Sequence, residues 1–115
     1  MFREYDIRGK ESEDELNEKS IYHIARAFGK MLRNANIESA IVGNDARETS
    51  ESFSAQAVRA LIESGIHVIN IGTVTTPIGY WAQYYFKVKG LCMITASHNP
   101  AGWNGLKLGM DLSET

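Results

Sequence analysis

The residues with the most chemistry per unit length are Thr95-Ala96-Ser97-His98-Asn99-Pro100, continued by Gly102, Asn104, Gly105 and Lys107. A hydroxyl, an imidazole, an amide and an ammonium fall within a few positions. Phosphoryl transfer uses such parts. Ser97 would serve as nucleophile or phosphate carrier, and His98 would assist proton transfer or donate a hydrogen bond. Lys107 would set positive charge against the equatorial phosphate oxygens, and the glycines let backbone approach them. The same residues fit a plainer reading. Asn99 can cap a helix with Pro100 at its first position, leaving Ser97 a turn residue and His98 a surface side chain. A second polar stretch, Gly43-Asn44-Asp45-Ala46-Arg47-Glu48-Thr49-Ser50, follows the apolar run that ends at Val42. Residue types and spacing leave both readings of the serine segment open.

Elements must hold these segments in place. Ile21, Ile24, Ala25, Phe28, Met31 and Leu32 fall on one helical face and predict a helix from about Lys19 to Arg33. The preceding ESEDELNE is an acidic, solvated turn or loop. A second helix is predicted from Ser50 to Gly65, with Thr49 or Ser50 as cap, Glu51 at its positive end and Gly65 just past its end. Thr76-Pro77 predicts a third helix, threonine capping and proline first, whose rings from Tyr80 to Phe86 pack on the sheet. The run 39–42 reads as a buried strand, 67–71 and 90–95 as two further strands, and 106–110 as a shorter returning one. Strands alternating with helices define α/β organisation, in which both polar segments leave the C-terminal ends of strands, where ligands bind.

Composition narrows the classes. The chain has 115 residues, 43% hydrophobic and 23% charged, enough for one ordinary domain that folds without disulfides or structural metal. The single cysteine, Cys92, sits in an apolar run and reads as a buried thiol. A net charge of −2 argues against nucleic-acid binding. No stretch approaches the roughly 20 apolar residues of a membrane span, and the N-terminus lacks a signal-peptide core. The expected location is the cytoplasm. His23 and His67 lack metal-ligand spacing, and the absence of Gly-x-Ser-x-Gly and of Gly-x-Gly-x-x-Gly argues against a serine hydrolase and a dinucleotide-binding domain. The ending at DLSET, with no closing helix, reads as a truncation.

Thr95-Ala96-Ser97-His98-Asn99-Pro100 with Asn-Gly-x-Lys at 104 to 107 resembles the active-serine loop of the α-D-phosphohexomutases, phosphomannomutase/phosphoglucomutase branch. Phe2-Arg3-Glu4-Tyr5-Asp6-Ile7-Arg8-Gly9 is similar to the opening signature of that family, and Gly43-Asn44-Asp45-Ala46-Arg47 to its Gly-x-Asp-x-Arg turn. The three occur in the family's order.

The resemblance implies domain I, spanning residues 1–115, of a four-domain enzyme. Its fold would be a three-layer α/β/α sandwich with a mixed, mainly parallel sheet. It implies an isomerase that interconverts hexose 1-phosphate and hexose 6-phosphate, of mannose, glucose or both, through a 1,6-bisphosphate. Ser97 would carry the phosphate, which also helps bind Mg²⁺, and glucose 1,6-bisphosphate would serve as activator. His98 and Lys107 would be catalytic. Tyr5 and Arg8 would bind substrate or phosphate, and Asn99, Asn104, Gly105, Asp45 and Arg47 would shape the loops. The family's Asp-Gly-Asp-Gly-Asp-Arg metal loop does not occur in this sequence. The other Mg²⁺ ligands are thus expected from the second domain, so the remaining domains of the parent chain and a hexose phosphate are the expected partners. The alternative is a non-catalytic phosphate-binding or interaction domain that keeps the fold.

Overall fold

A computed structural model describes residues 4–47, 49–95 and 102–111. The elements run β1 (Glu4–Lys10), α1 (Glu18–Asn34), β2 (Ser39–Asn44), α2 (Ser50–Glu63), β3 (His67–Thr73), α3 (Thr76–Phe86), β4 (Gly90–Ile94) and β5 (Trp103–Gly109). They build a five-stranded sheet in the order β1-β5-β4-β2-β3. β2 pairs in parallel with β3 and β4, while β5 is antiparallel to both its neighbours. Four strands therefore share one direction and only β5 opposes them, so the sheet is mixed and mainly parallel.

The helices cover both faces. α1 and α2 pack together over one face, on a core that includes Ile21, Phe28, Leu32, Val42, Leu61, Cys92, Ile94 and Leu106. α3 covers β2 and β4 from the other side, over Ile41, Leu91 and Met93. Two layers of helix around a mixed sheet make the α/β/α sandwich. Cys92 is buried, and burial pushes its thiol up to about 12.

Local chemistry sets the boundaries. α1 starts one residue earlier than its apolar period indicates because Asn17 and Ser20 form a reciprocal capping box, each side chain accepting the other's backbone N–H at 2.9 Å. α2 ends as expected. Gly65, just past it, takes φ +86°, and a Cβ there would lie 2.2 Å from Arg33 Nη1.

Two expectations fail, and one element was not expected. The cap of α3 is Thr75, which puts Pro77 second in the helix and makes no side-chain bond. The ring packing also differs: Gly79, Ala82 and Gln83 form the buried side of α3, and Trp81 and Tyr85 are 58% and 65% exposed. Small residues explain this, since α3 rides so close to β4 that a Cβ on Gly79 would meet Met93 Sδ at 2.9 Å. The space goes to backbone approach; Tyr80 alone of the rings packs on the core, and Trp81, Tyr84, Tyr85 and Phe86 turn outward. Lastly, the opening signature is itself a strand, β1, with only one buried residue, Gly9.

β1 depends on Gly105. An ideal Cβ at Gly105 would sit 2.3 Å from Ile7 O and 3.2 Å from Arg8 Cα. No side-chain rotation relieves a clash with backbone. Gly105→Ala is expected to lower stability by about 3 kcal/mol in urea titration, and to raise amide exchange in residues 4–10 selectively.

Candidate functional site

The C-terminal ends of β1, β2 and β4 lie along one edge, and β5 starts there. Asp45 N–H donates to Ile94 O at 2.9 Å, Thr95 N–H to Gly105 O at 2.9 Å, and Glu11 N–H to Gly102 O at 2.7 Å. These bonds fasten the polar turn after β2, the end of β4 and the start of β5 to one another. The segment 96–101 joins β4 to β5 between the two fastened points. Ser97, His98 and Asn99 lie outside the described residues.

Beneath this edge runs a buried polar network. The Asn104 side chain, 0% exposed, donates to Ser50 Oγ at 3.0 Å and to Thr49 Oγ1 at 3.1 Å. Its carbonyl accepts the Gly105 N–H at 2.8 Å. Ser50 Oγ in turn donates a hydrogen bond to Asp45 Oδ1 at 2.5 Å, which also accepts the Arg47 N–H at 3.1 Å. Asp45 and Arg47 form the local ion pair their spacing allows, Nε to Oδ2 3.6 Å. Thr49 donates to the Glu11 carboxylate. Neither hydroxyl therefore caps α2: Thr49 stands at the cap position in helical geometry with no cap bond, because both hydroxyls link loops instead. Asn104, Gly105, Asp45 and Arg47, the loop-shaping candidates other than Asn99, all belong to this assembly. Glu11, Thr49 and Ser50 were missed as parts of it, and only their hydroxyl and carboxylate types signalled them.

Lys107 lies mid-strand, opposite Asp6 on β1 and Met93 on β4. Its ammonium bonds Glu4 Oε1 at 3.0 Å and approaches Asp6 Oδ1 at 3.4 Å, with Tyr80 Oη donating to Glu4 Oε2 at 2.6 Å. Burial alone would lower the lysine's pKa, but the bond and charge of Glu4, joined by Asp6, outweigh it and the net shift is upward. Burial and the same Glu4 raise the Tyr80 phenol as well. Lys107 is thus held as a cation, and as a hydrogen-bond donor it suits an anion better than it suits base catalysis.

Arg8 shares this face. It pairs with Gly105, and its Cγ lies 3.2 Å from where a Cβ on Gly105 would stand. Tyr5 does not share it. Three positions along a strand reverse the side-chain direction, and Tyr5 opposes Leu108, lining an apolar groove with Ile24, Phe28 and Met31. The structure thus brings Arg8 and Lys107 together and separates Tyr5 from them. Trp103, at the start of β5, lies under Lys10 Nζ, 5.7 Å from its ring centre.

An α/β/α domain with polar turns gathered at the ends of its parallel strands defines the structural class. The chain matches, over residues 1–112, the family described as phosphoglucomutase/phosphomannomutase, alpha/beta/alpha domain I. It belongs to that family. It is 44% identical over 107 residues to a phosphomannomutase of Klebsiella pneumoniae, covering 93% of this chain and 66% of that one. It is also 44% identical over 107 residues to one of Escherichia coli, covering 93% of this chain and 23% of that one. A phosphoglucomutase/phosphomannomutase family protein of Burkholderia thailandensis superposes with a TM-score of 0.84 at 28% identity, over 92% of this chain and 25% of that one. The chain thus spans less than two thirds of the length of these relatives.

Two outcomes follow from this geometry. Asn104→Ala strips the donors from two hydroxyls in a buried site and is expected to cost about 2 kcal/mol in urea titration. Lys107 holds its proton more tightly folded than unfolded. The stability it contributes is present below the unfolded lysine value of about 10.4 and fades as pH rises through the higher folded value. The stability gap between wild type and Lys107→Met should therefore be widest near neutrality and shrink as pH rises past the unfolded lysine value of about 10.4.

Proposed function

We propose that this domain carries a phosphoryl group on Ser97 within a phosphohexomutase that interconverts hexose 1-phosphate and hexose 6-phosphate, of mannose, glucose or both. In the forward half-reaction the bond from phosphorus to Ser97 Oγ breaks. A sugar hydroxyl forms the new bond and gives up its proton, while Ser97 Oγ regains one. The 1,6-bisphosphate then turns over, and its other phosphate returns to Ser97 by the reverse exchange. His98 is the candidate for moving those protons. Lys107 and Arg8 oppose the charge on the phosphoryl oxygens, Arg8 with a fork that can grip two oxygens at once.

One observation supports this reading above the others. Thr95 and Gly102–Lys107, the described residues on both sides of the serine segment, are fastened to the strand ends, and cations on β1 and β5 share one face. A segment so anchored at both ends loses little further freedom when it positions a phosphate, and positioning with electrostatics does most of the work in this chemistry.

Mg²⁺ would neutralise charge on the transferring group. Among the described residues no group of three or more His, Cys, Asp or Glu side chains is arranged to hold a metal ion. The phosphate on Ser97 would be one Mg²⁺ ligand, and the remaining ligands and the surfaces that recognise the sugar are assigned to the remaining domains of the parent chain. The proposed location is the cytoplasm. No helix among the described residues is long and apolar enough to cross a membrane.

Phosphopeptide mapping of the protein as its own cells make it, without phosphatase treatment, tests the assignment. Phosphate on Ser97 that disappears on incubation with excess hexose monophosphate is the expected result, with Ser97→Ala losing mutase turnover. A Ser97 that stays unmodified after glucose 1,6-bisphosphate and Mg²⁺ would sink the phosphoenzyme reading and leave a phosphate-binding domain.

A further inference from the structure

The ammonium of Lys107 takes its partner from the end of the strand pair that lies away from the serine segment. On β5 the lysine stands opposite Asp6, between Gly105, which pairs with Arg8, and Gly109, which pairs with Glu4. Gly105 is the end fastened to Thr95. Gly109 lies farther along β5, roughly 13 Å away at the strand rise. The lysine nevertheless bonds Glu4 Oε1 at 3.0 Å, with Asp6 Oδ1 at 3.4 Å. Glu4 is held in turn. Its other oxygen accepts the Tyr80 hydroxyl at 2.6 Å, so α3 braces the carboxylate from a third element. The four-carbon stem of lysine can swing along the strand, whereas the carboxylate is tied from two sides.

Resting on the phosphohexomutase reading above, we infer that Glu4, braced by Tyr80, is a positioning residue for Lys107. It holds the ammonium back from the serine segment until a phosphoryl group draws it forward, and recovers it when the anion leaves. A cation held back in most molecules binds its anion more weakly, by the fraction in which it has swung forward. A mutase gains from that. Its bisphosphate must leave this face, turn over and present its other phosphate. A lysine with a second partner to return to releases the anion sooner than a bare one. Lys107 and Glu4 are 19% and 21% exposed. A pair so placed is stronger than a surface pair and weaker than a fully buried charged bond, which sets the effect at about three- to tenfold in affinity.

Steady-state turnover of glucose 1-phosphate by the parent protein with all its domains tests this. Glu4→Gln keeps the shape and removes the charge. Its KM is expected to fall about three- to tenfold, with kcat unchanged or lower and inorganic phosphate inhibiting at correspondingly lower concentration. Tyr80→Phe keeps the carboxylate and removes its brace, and should lower KM by less; it decides alone where Glu4→Gln fails to fold. A merely structural pair would lower kcat at an unchanged or raised KM, and that result overturns the proposal. So does a fall of KM in Glu4→Gln with none in Tyr80→Phe, because the carboxylate then acts as a bare charge. Wild-type protein without turnover defeats the mutase reading, and this role with it. Normal wild-type turnover with an unaltered KM in Glu4→Gln defeats this role alone.

Discussion

A buried carboxamide must find partners for two N–H groups and a carbonyl, and each one left unpaired costs on the order of 1–3 kcal/mol. Asn104 meets this demand with the hydroxyls of Ser50 and Thr49 and the amide of Gly105. The first turn of α2, the start of β5 and the turn after β2 therefore cannot move independently. Ser50 hands the constraint to Asp45, and Thr49 hands it to Glu11 beyond the end of β1. Three parts of the chain that are distant in sequence, Glu11, residues 45–50 and Asn104 with Gly105, become one rim. Thr95 and Gly102, the described residues that flank the serine segment, are tied to that rim.

A second constraint acts in the middle of the sheet. Lys107, Glu4, Asp6 and Tyr80 form a charged cluster from two strands and a helix, on the face that α3 only partly covers. Two carboxylates keep one ammonium protonated. An anion arriving at this face would meet a lysine that already has partners, so the lysine's pull on it depends on how far Glu4 and Asp6 give way.

Much of this was legible in the sequence, and the gaps have causes. α1 and α2 announce themselves because their apolar residues recur with the helical period, and Gly65 ends α2 where only glycine relieves the crowding by Arg33. β2 and β4 read as apolar runs because both faces are buried. β1 could not be read that way. It is an edge strand with charged side chains, and its partner lies at the far end of the chain. Missing β1 also hid the setting of Lys107, whose partners appear only once Asp6 is opposite it, and hid that Tyr5 and Arg8 face opposite ways. The α3 rings misled because aromatic content signals burial without saying against what. Asn104, Asp45 and Arg47 were recognisable as loop-shaping residues, but their meeting through Ser50 is a tertiary fact.

The pairing of β1 with β5 bears on how the molecule comes into being. Glu4 lies opposite Gly109, so β1 leaves a ribosome long before the strand it pairs with. Until β5 arrives, β1 has no hydrogen-bonding partner, and closing so long a loop is entropically slow. Its charged, glycine-containing sequence suits that wait, because such a strand resists pairing with the wrong edge. The residue types that kept β1 from being read as a strand thus protect it while it is still unpaired.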